Sequence, residues 1–149
     1  MLKEQLAPTP NDWAYTYREM RADALEMAQR LVASGIEPQD RVALIAETSP
    51  EFAALFCACI YAGAWPVPLP LPTGFGGKDG YIDQLVVQLQ SSDPKILIYP
   101  PEIDEMAKAA ADRQGCEGID WDSFATRDKA DAELPQVNPE DICYLQYSS

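Results

Sequence analysis

Three short polar stretches in this sequence follow apolar runs and could place chemistry at the ends of strands. They are Glu47-Thr48-Ser49, Tyr99-Pro100-Pro101-Glu102 and Tyr147-Ser148-Ser149. In open α/β sheets, ligands bind beyond the carboxyl ends of the strands, where loops and helix N-termini converge. The third stretch carries the most definite chemistry. A strand that runs into consecutive serines offers hydroxyls and successive backbone N–H groups to an anion such as phosphate. On spacing alone, the pattern does not separate a phosphate loop from an ordinary strand end. Gly74-Phe75-Gly76-Gly77 has neither GxGxxG spacing nor a Lys-Ser/Thr ending, and it reads as a surface loop.

The residue types that are missing narrow the chemistry further. The chain has no histidine, which removes Ser-His-Asp and Cys-His catalysis and every zinc site that needs imidazole. Cys57 and Cys59 stand two apart within a helical pattern, so they point to opposite sides and can neither bridge nor chelate together. Cys116 and Cys143 are isolated, and the four thiols read as small apolar residues in a reducing compartment. Trp13, Tyr15, Tyr17, Trp65 and Trp121 are scattered and read as packing aromatics. Between Glu102 and Asp141 there are 12 acids and 4 bases with no calcium-loop spacing, which describes a solvated face. Residue chemistry alone marks no catalytic side chain and no metal ligand.

A length of 149 residues is one domain's worth, and 47% apolar content suffices for a packed core. The net charge of −13 argues against binding to a phosphate backbone or to anionic lipid. No charged residue occurs from Phe52 to Gly77, yet Gly63 and four prolines from Pro66 to Pro72 interrupt that run. It therefore holds a buried core helix and not a membrane span. The first six residues show no secretion signal, so the expectation is a soluble, cytoplasmic protein.

The elements that would position these residues follow from periodicity. Thr16-Tyr17-Arg18-Glu19 is a capping box, and Met20, Ala24, Met27 and Leu31 continue it as a helix that stops at Ser34-Gly35. Arg41 to Ala46 reads as a strand buried on both faces. Ser49-Pro50-Glu51 opens the next helix, which Gly63 closes. Ala64 to Pro68 is a short strand whose prolines suit an edge. Leu69 to Gly80 reads as a loop, and Ile82, Leu85, Val86 and Leu89 as a helix broken at Ser91 to Pro94. Lys95 to Tyr99 is a further buried strand. Ile103, Met106, Ala107 and Ala110 mark a helix ending at Gly115, and the polar remainder leads to a strand over Ile142 to Tyr147. Strands alternating with helices predict an α/β fold with a mostly parallel sheet.

The order of motifs resembles the adenylate-forming enzymes. Tyr15 to Met20 with Ala24, Ala28 and Leu31, followed by Gly35 to Leu44, is similar to their opening core motif. Ser49 to Phe52 and Tyr61 to Pro68 resemble the second motif. Asp141 to Ser149 resembles the strand that enters the Ser/Thr/Gly-rich loop for the ATP phosphates. Val67 to Pro72 and the Leu-Gln-Tyr-Ser-Ser ending are most similar to fatty-acyl-AMP ligases. Gln39 departs from the pattern, since glycine is common there before the Asp of the turn, and a changed turn dihedral is expected. Trp65-Pro66 is also unusual for the family.

This resemblance implies a parent enzyme that joins a fatty acid to ATP with Mg²⁺, giving acyl-adenylate and pyrophosphate. The acyl group would then pass to the phosphopantetheine thiol of an acyl carrier protein. Residues 1–149 would be the N-terminal portion of the large adenylation domain, cut where the phosphate loop begins, and inactive alone. Only Ser148 and Ser149 match the nucleotide-binding loop, and no catalytic or metal-binding residue falls within the chain. Two alternatives stand beside it: an acyl-CoA ligase that uses coenzyme A as acceptor, and a non-catalytic α/β binding module.

Overall fold

Local signals start the first two helices where the spacing predicts. Thr16 caps α1 (Tyr17–Ala33), its Oγ accepting the Glu19 N–H at 3.1 Å. Ser49 caps α2 (Pro50–Tyr61) by accepting the Phe52 N–H at 3.2 Å. The computed structural model describes residues 16–73 and 76–147. Within them, the strands β1 (Arg41–Ile45), β2 (Trp65–Leu69), β3 (Ile96–Tyr99) and β4 (Glu117–Asp120) form one parallel sheet of order β2-β1-β3-β4.

Alternation along the central strands builds two cores. Val42, Leu44, Ile96 and Ile98 face one side, against Ala28 and Leu31 of α1 and Leu55, Ala58 and Cys59 of α2. Ala43, Ile45, Leu97 and Tyr99 face the other side. There they meet Leu85 and Leu89 of α3 (Gly77–Ser92), and Ala107, Ala110 and Ala111 of α4 (Asp104–Gln114). Fully burying one such Leu or Ile contributes roughly 1.5–3 kcal/mol, which is why both faces are covered. Arg41 adds a polar tie between layers. Its Nε donates to Ser92 O at 2.9 Å and its Nη2 to Asp93 O at 3.1 Å, answering carbonyls that the end of α3 leaves without helical partners.

Three expectations need correction. Helix α3 begins at Gly77, inside the stretch read as a loop. The acidic tract read as a polar remainder contains strand β4 and the short helix α5 (Trp121–Phe124). β4 hides from periodicity because it is short and carries Gly118, where a Cβ would come within 2.9 Å of the Ala111 Cβ. Asp120 then caps α5, its Oδ1 accepting the Ser123 N–H at 2.9 Å and its Oδ2 the Ser123 hydroxyl at 2.7 Å. Burial works against this carboxylate, yet the Ser123 bonds prevail and hold its pKa below the usual value.

The third correction concerns Ile142 to Tyr147, which is not a strand. The reason lies in β2. Trp65 N–H donates to Asp40 O and Leu69 O accepts from Ala46 N–H, both at 2.8 Å, so residues 65 and 69 face β1. By alternation, residues 66 and 68 turn outward, and both are proline. The outer edge of β2 thus offers carbonyls and no N–H. Leu145 N–H donates to Pro66 O at 3.0 Å. The reciprocal bond from residue 68 has no hydrogen to make it, and a ladder cannot propagate. The edge position that the prolines implied for β2 is observed.

Two left-handed positions generate tests. Gly63, at φ +76°, closes α2: its N–H donates to Ile60 O at 3.0 Å, and Ala64 N–H reaches Cys59 O at 2.9 Å. A Cβ there would lie 3.0 Å from Pro135 Cγ and 3.3 Å from Pro38 Cβ. Gly63→Val should therefore lower stability by at least about 1 kcal/mol in thermal or denaturant unfolding, and a wild-type melting temperature would refute the cap. Gln39 sits at φ +72°, so the changed dihedral expected there is instead a left-handed backbone carried by a residue with a Cβ. Gln39→Gly should raise stability by about 0.5–1 kcal/mol, the left-handed cost less the extra chain entropy of glycine. An unchanged or lower melting temperature would reject it.

Candidate functional site

The direction of the crossovers locates the crevice. From β1 the chain crosses to β2 through α2 on one face, then returns past β1 to β3 through α3 on the other. The winding reverses between β1 and β3, and the gap beyond their carboxyl ends is the switch point. It brings Glu47-Thr48-Ser49 beside Tyr99-Pro100-Pro101-Glu102, two of the three stretches with possible chemistry. An open depression of about 380 Å³ lies beyond the carboxyl end of β1 alone, lined by Ala46, Glu47, Thr48, Ser49, Phe52 and Ala53.

Most of the polar groups at this edge hold the scaffold. Ser49 is occupied by its cap to Phe52. Tyr99 turns its ring into the core and donates its hydroxyl to Asp104 Oδ1 at 2.7 Å, tying the end of β3 to the start of α4. Tyr81 on α3 does the same after β2, donating to Pro70 O at 2.8 Å. Burial pushes both phenols well above their ordinary pKa, and the Asp104 carboxylate pushes Tyr99 further. They are protonated donors that fasten loops, and they are not bases.

Of the third stretch only Tyr147 is described, and residues 144–147 lie on the other side of β2. Tyr144 packs edge-on against Phe56 of α2, with ring centroids 5.5 Å apart. Leu145 and Tyr147 pack against the core shared with α3 and α4. The Tyr147 hydroxyl donates to Gln88 O of α3 at 2.6 Å. Ser91, Ser92, Leu145, Gln146 and Tyr147 line a small open cavity of about 150 Å³. The nucleotide-binding candidates Ser148 and Ser149 lie outside the described residues, as do Trp13 and Tyr15.

All four cysteines are free. Burial raises the thiol pKa of Cys57, Cys59 and Cys116, and a neighbouring Cys143 adds to the rise at Cys57, so these three are poor nucleophiles. Among the described residues, no group of three or more His, Cys, Asp or Glu side chains converges on a metal position. Tyr17 is exposed, Trp65 half-buried and Trp121 buried in the core.

Spacing gave no hint of two sets of contacts. Gln29 on α1 clamps a strap after α5, its Nε2 donating to Ala132 O at 2.9 Å and its Oε1 accepting the Ala132 N–H at 3.2 Å. Arg30 Nε donates to Arg127 O at 3.0 Å, while Arg127 pairs with Glu117 and lies over the Phe124 ring. The acceptor for Tyr147 is a backbone carbonyl, which any residue at position 88 would present.

Comparisons with known proteins agree with this geometry. The profile described as AMP-binding enzyme matches residues 4–149. An acyl-CoA synthetase candidate of Caulobacter vibrioides is 40% identical over 136 residues, 91% of this chain and 24% of that protein. A long-chain-fatty-acid–CoA ligase of Mycobacterium tuberculosis is 32% identical over 168 residues, covering 100% of this chain and 32% of that one. Among solved structures, a chain from work on fatty acyl-adenylate ligases of E. coli and L. pneumophila superposes with a TM-score of 0.83 at 39% identity. That match covers 88% of this chain and 24% of the other. The chain thus spans between a quarter and a third of the length of these relatives.

The two buried phenols yield an alkaline test. A phenol raised in the folded state contributes stability that is fully present below its unfolded value of about 10 and is lost as pH rises through the folded one. Of seven tyrosines, those at 81 and 99 should therefore ionise late, together with alkaline unfolding, in an absorbance titration near 295 nm. Tyr81→Phe and Tyr99→Phe should each remove one late phenol. Ionisation of Tyr81 and Tyr99 near pH 10 would show that the two are not held this way.

Proposed function

Because the chain belongs to the AMP-binding enzyme family, we propose that it forms the N-terminal portion, residues 1–149, of the adenylation domain of a larger fatty-acid-activating enzyme. That enzyme joins a fatty acid to ATP, forming acyl-adenylate and releasing pyrophosphate. The likeness in both sequence and fold to the fatty acyl-adenylate ligase chain carries this reading. In it the described residues are scaffold: the two-faced sheet, the capped helices and the tyrosine-fastened loops bring the chain to Ser148 and Ser149, whose hydroxyls and N–H groups would meet the ATP phosphates. In this reading Mg²⁺ accompanies the ATP. The acyl acceptor in this reading is the phosphopantetheine thiol of an acyl carrier protein. A cytoplasmic location suits four free cysteines, and no helix among the described residues is long and apolar enough to cross a membrane.

A second reading is supported by the names of the Caulobacter and Mycobacterium relatives, in which the same adenylate passes to coenzyme A. A non-catalytic binding module is the less favoured alternative, since the likeness extends over nearly the whole chain.

The test is ATP–pyrophosphate exchange by the full-length protein across fatty acids of graded length, followed by acyl transfer to a carrier protein or to coenzyme A. Fatty-acid-dependent exchange with transfer to the carrier is expected, while the 149-residue chain alone should show none. Exchange that ignores fatty acids would sink the substrate assignment. Transfer to coenzyme A alone would select the second reading.

A further inference from the structure

Helix α2 carries two cysteines on opposite sides, and only one of them is committed to the core. Ala54, Leu55, Ala58 and Cys59 are buried on its inner face, whereas Phe52, Phe56, Cys57 and Ile60 are half-buried on its outer face. The segment with the exposed Cys143 lies against that outer face. Two contacts fix the alignment. Tyr144 meets the Phe56 ring with centroids 5.5 Å apart, and Cys143 lines one open cavity of about 310 Å³ together with Ile60. Cys57 is the neighbour of Phe56 and stands three residues before Ile60, so it shares their surface and faces the stretch that brings Cys143. The two thiols sense each other: burial raises the Cys57 pKa most, and a charge on Cys143 raises it further. Cys59 is two positions from Cys57 but points into the core, so the helix itself forbids a bridge between them. Neither Cys57 nor Cys143 has a part in adenylation as read above.

We propose that Cys57 and Cys143 are a redox pair, which a small-molecule disulfide oxidises to an intrachain bridge that clamps residues 142–144 onto α2. The exposed Cys143 reacts first. Its thiolate attacks one sulfur of the small disulfide RSSR, forming the mixed disulfide Cys143–S–S–R and expelling RS⁻. The Cys57 thiolate then attacks the Cys143 sulfur and expels the second RS⁻. The two cysteines together lose two electrons and two protons, and RSSR becomes two RSH. Burial keeps Cys57 largely protonated, which suits it to the second step, where proximity offsets a low thiolate fraction. A disulfide holds its two Cα atoms within about 7 Å, so the closed pair fixes the segment against the helix. Where the thiol pool is reduced the pair stays open, in keeping with four free cysteines.

The experiment incubates the full-length protein with oxidised glutathione and maps its cysteines by peptide mass spectrometry. Cys57→Ser, Cys143→Ser and Cys59→Ser are treated in parallel. Linked peptides joining residues 57 and 143 are expected in the wild type and in Cys59→Ser, and dithiothreitol should remove the link. Cys57→Ser should stop at glutathione on Cys143, and Cys143→Ser should form no link. Amide hydrogen exchange over residues 142–147 should slow when the wild type is oxidised, and stay unchanged in the two variants that lack a partner. Glutathione that remains on Cys143 of the wild type, with no 57–143 link, would overturn the proposal. So would a Cys143 that does not react in the folded protein, a link from Cys57 to another cysteine in its place, or a 57–143 link that leaves amide exchange unaltered. If Cys57→Ser is unstable, Cys143→Ser changes an exposed position and decides the assignment by the loss of the link.

Discussion

The structure depends on one constraint: the two central strands are buried on both faces. Val42 to Ile45 and Ile96 to Tyr99 are at most 1% exposed, so any uncovered face would leave a row of large apolar side chains in water. Parallel pairing makes the cover unavoidable, because each return crossing carries a helix over the sheet. Covering both faces requires the crossovers to reverse direction, and that reversal falls between β1 and β3. The location of the crevice at the carboxyl ends is therefore a consequence of burial.

Once the layers are set, the polar groups at the strand ends are drawn into holding them. Ser49 and Asp120 cap helices, while Tyr81 and Tyr99 fasten the loops that follow β2 and β3. Arg41 and Asp40 work at the opposite edge. Arg41 answers the carbonyls at the end of α3, and Asp40 pairs with Lys95 at 3.0 Å. Three acids of the acidic tract are drawn in likewise: Asp104 accepts the Tyr99 hydroxyl, Glu117 pairs with Arg127, and Asp120 caps α5.

Legibility in the sequence followed the range of the interaction. Thr16, Ser49 and Gly63 were readable because a cap needs only residues three or four apart. The two-faced strands were readable because burial on both sides shows as a continuous apolar run. β4 was hidden because Gly118 is there to admit Ala111 of α4, a contact without a local signature. The supposed strand over Ile142 to Tyr147 failed for the opposite reason. Its own pattern allowed pairing, and the refusal came from two prolines some eighty positions earlier.

What the sequence determined by itself was the succession of strands and helices, their caps and the class of fold, since these depend on periodicity and on short-range hydrogen bonds. The family likeness of its ordered motifs pointed to the same architecture. What only the tertiary structure decided was how the last described segment is held. Leu145 and Tyr147 are tied to backbone carbonyls of Pro66 and Gln88, the latter 59 positions away. A carbonyl is the same on every residue, so no spacing or residue type announces it, and only the packing of α3 beside β2 brings it within reach of a phenol.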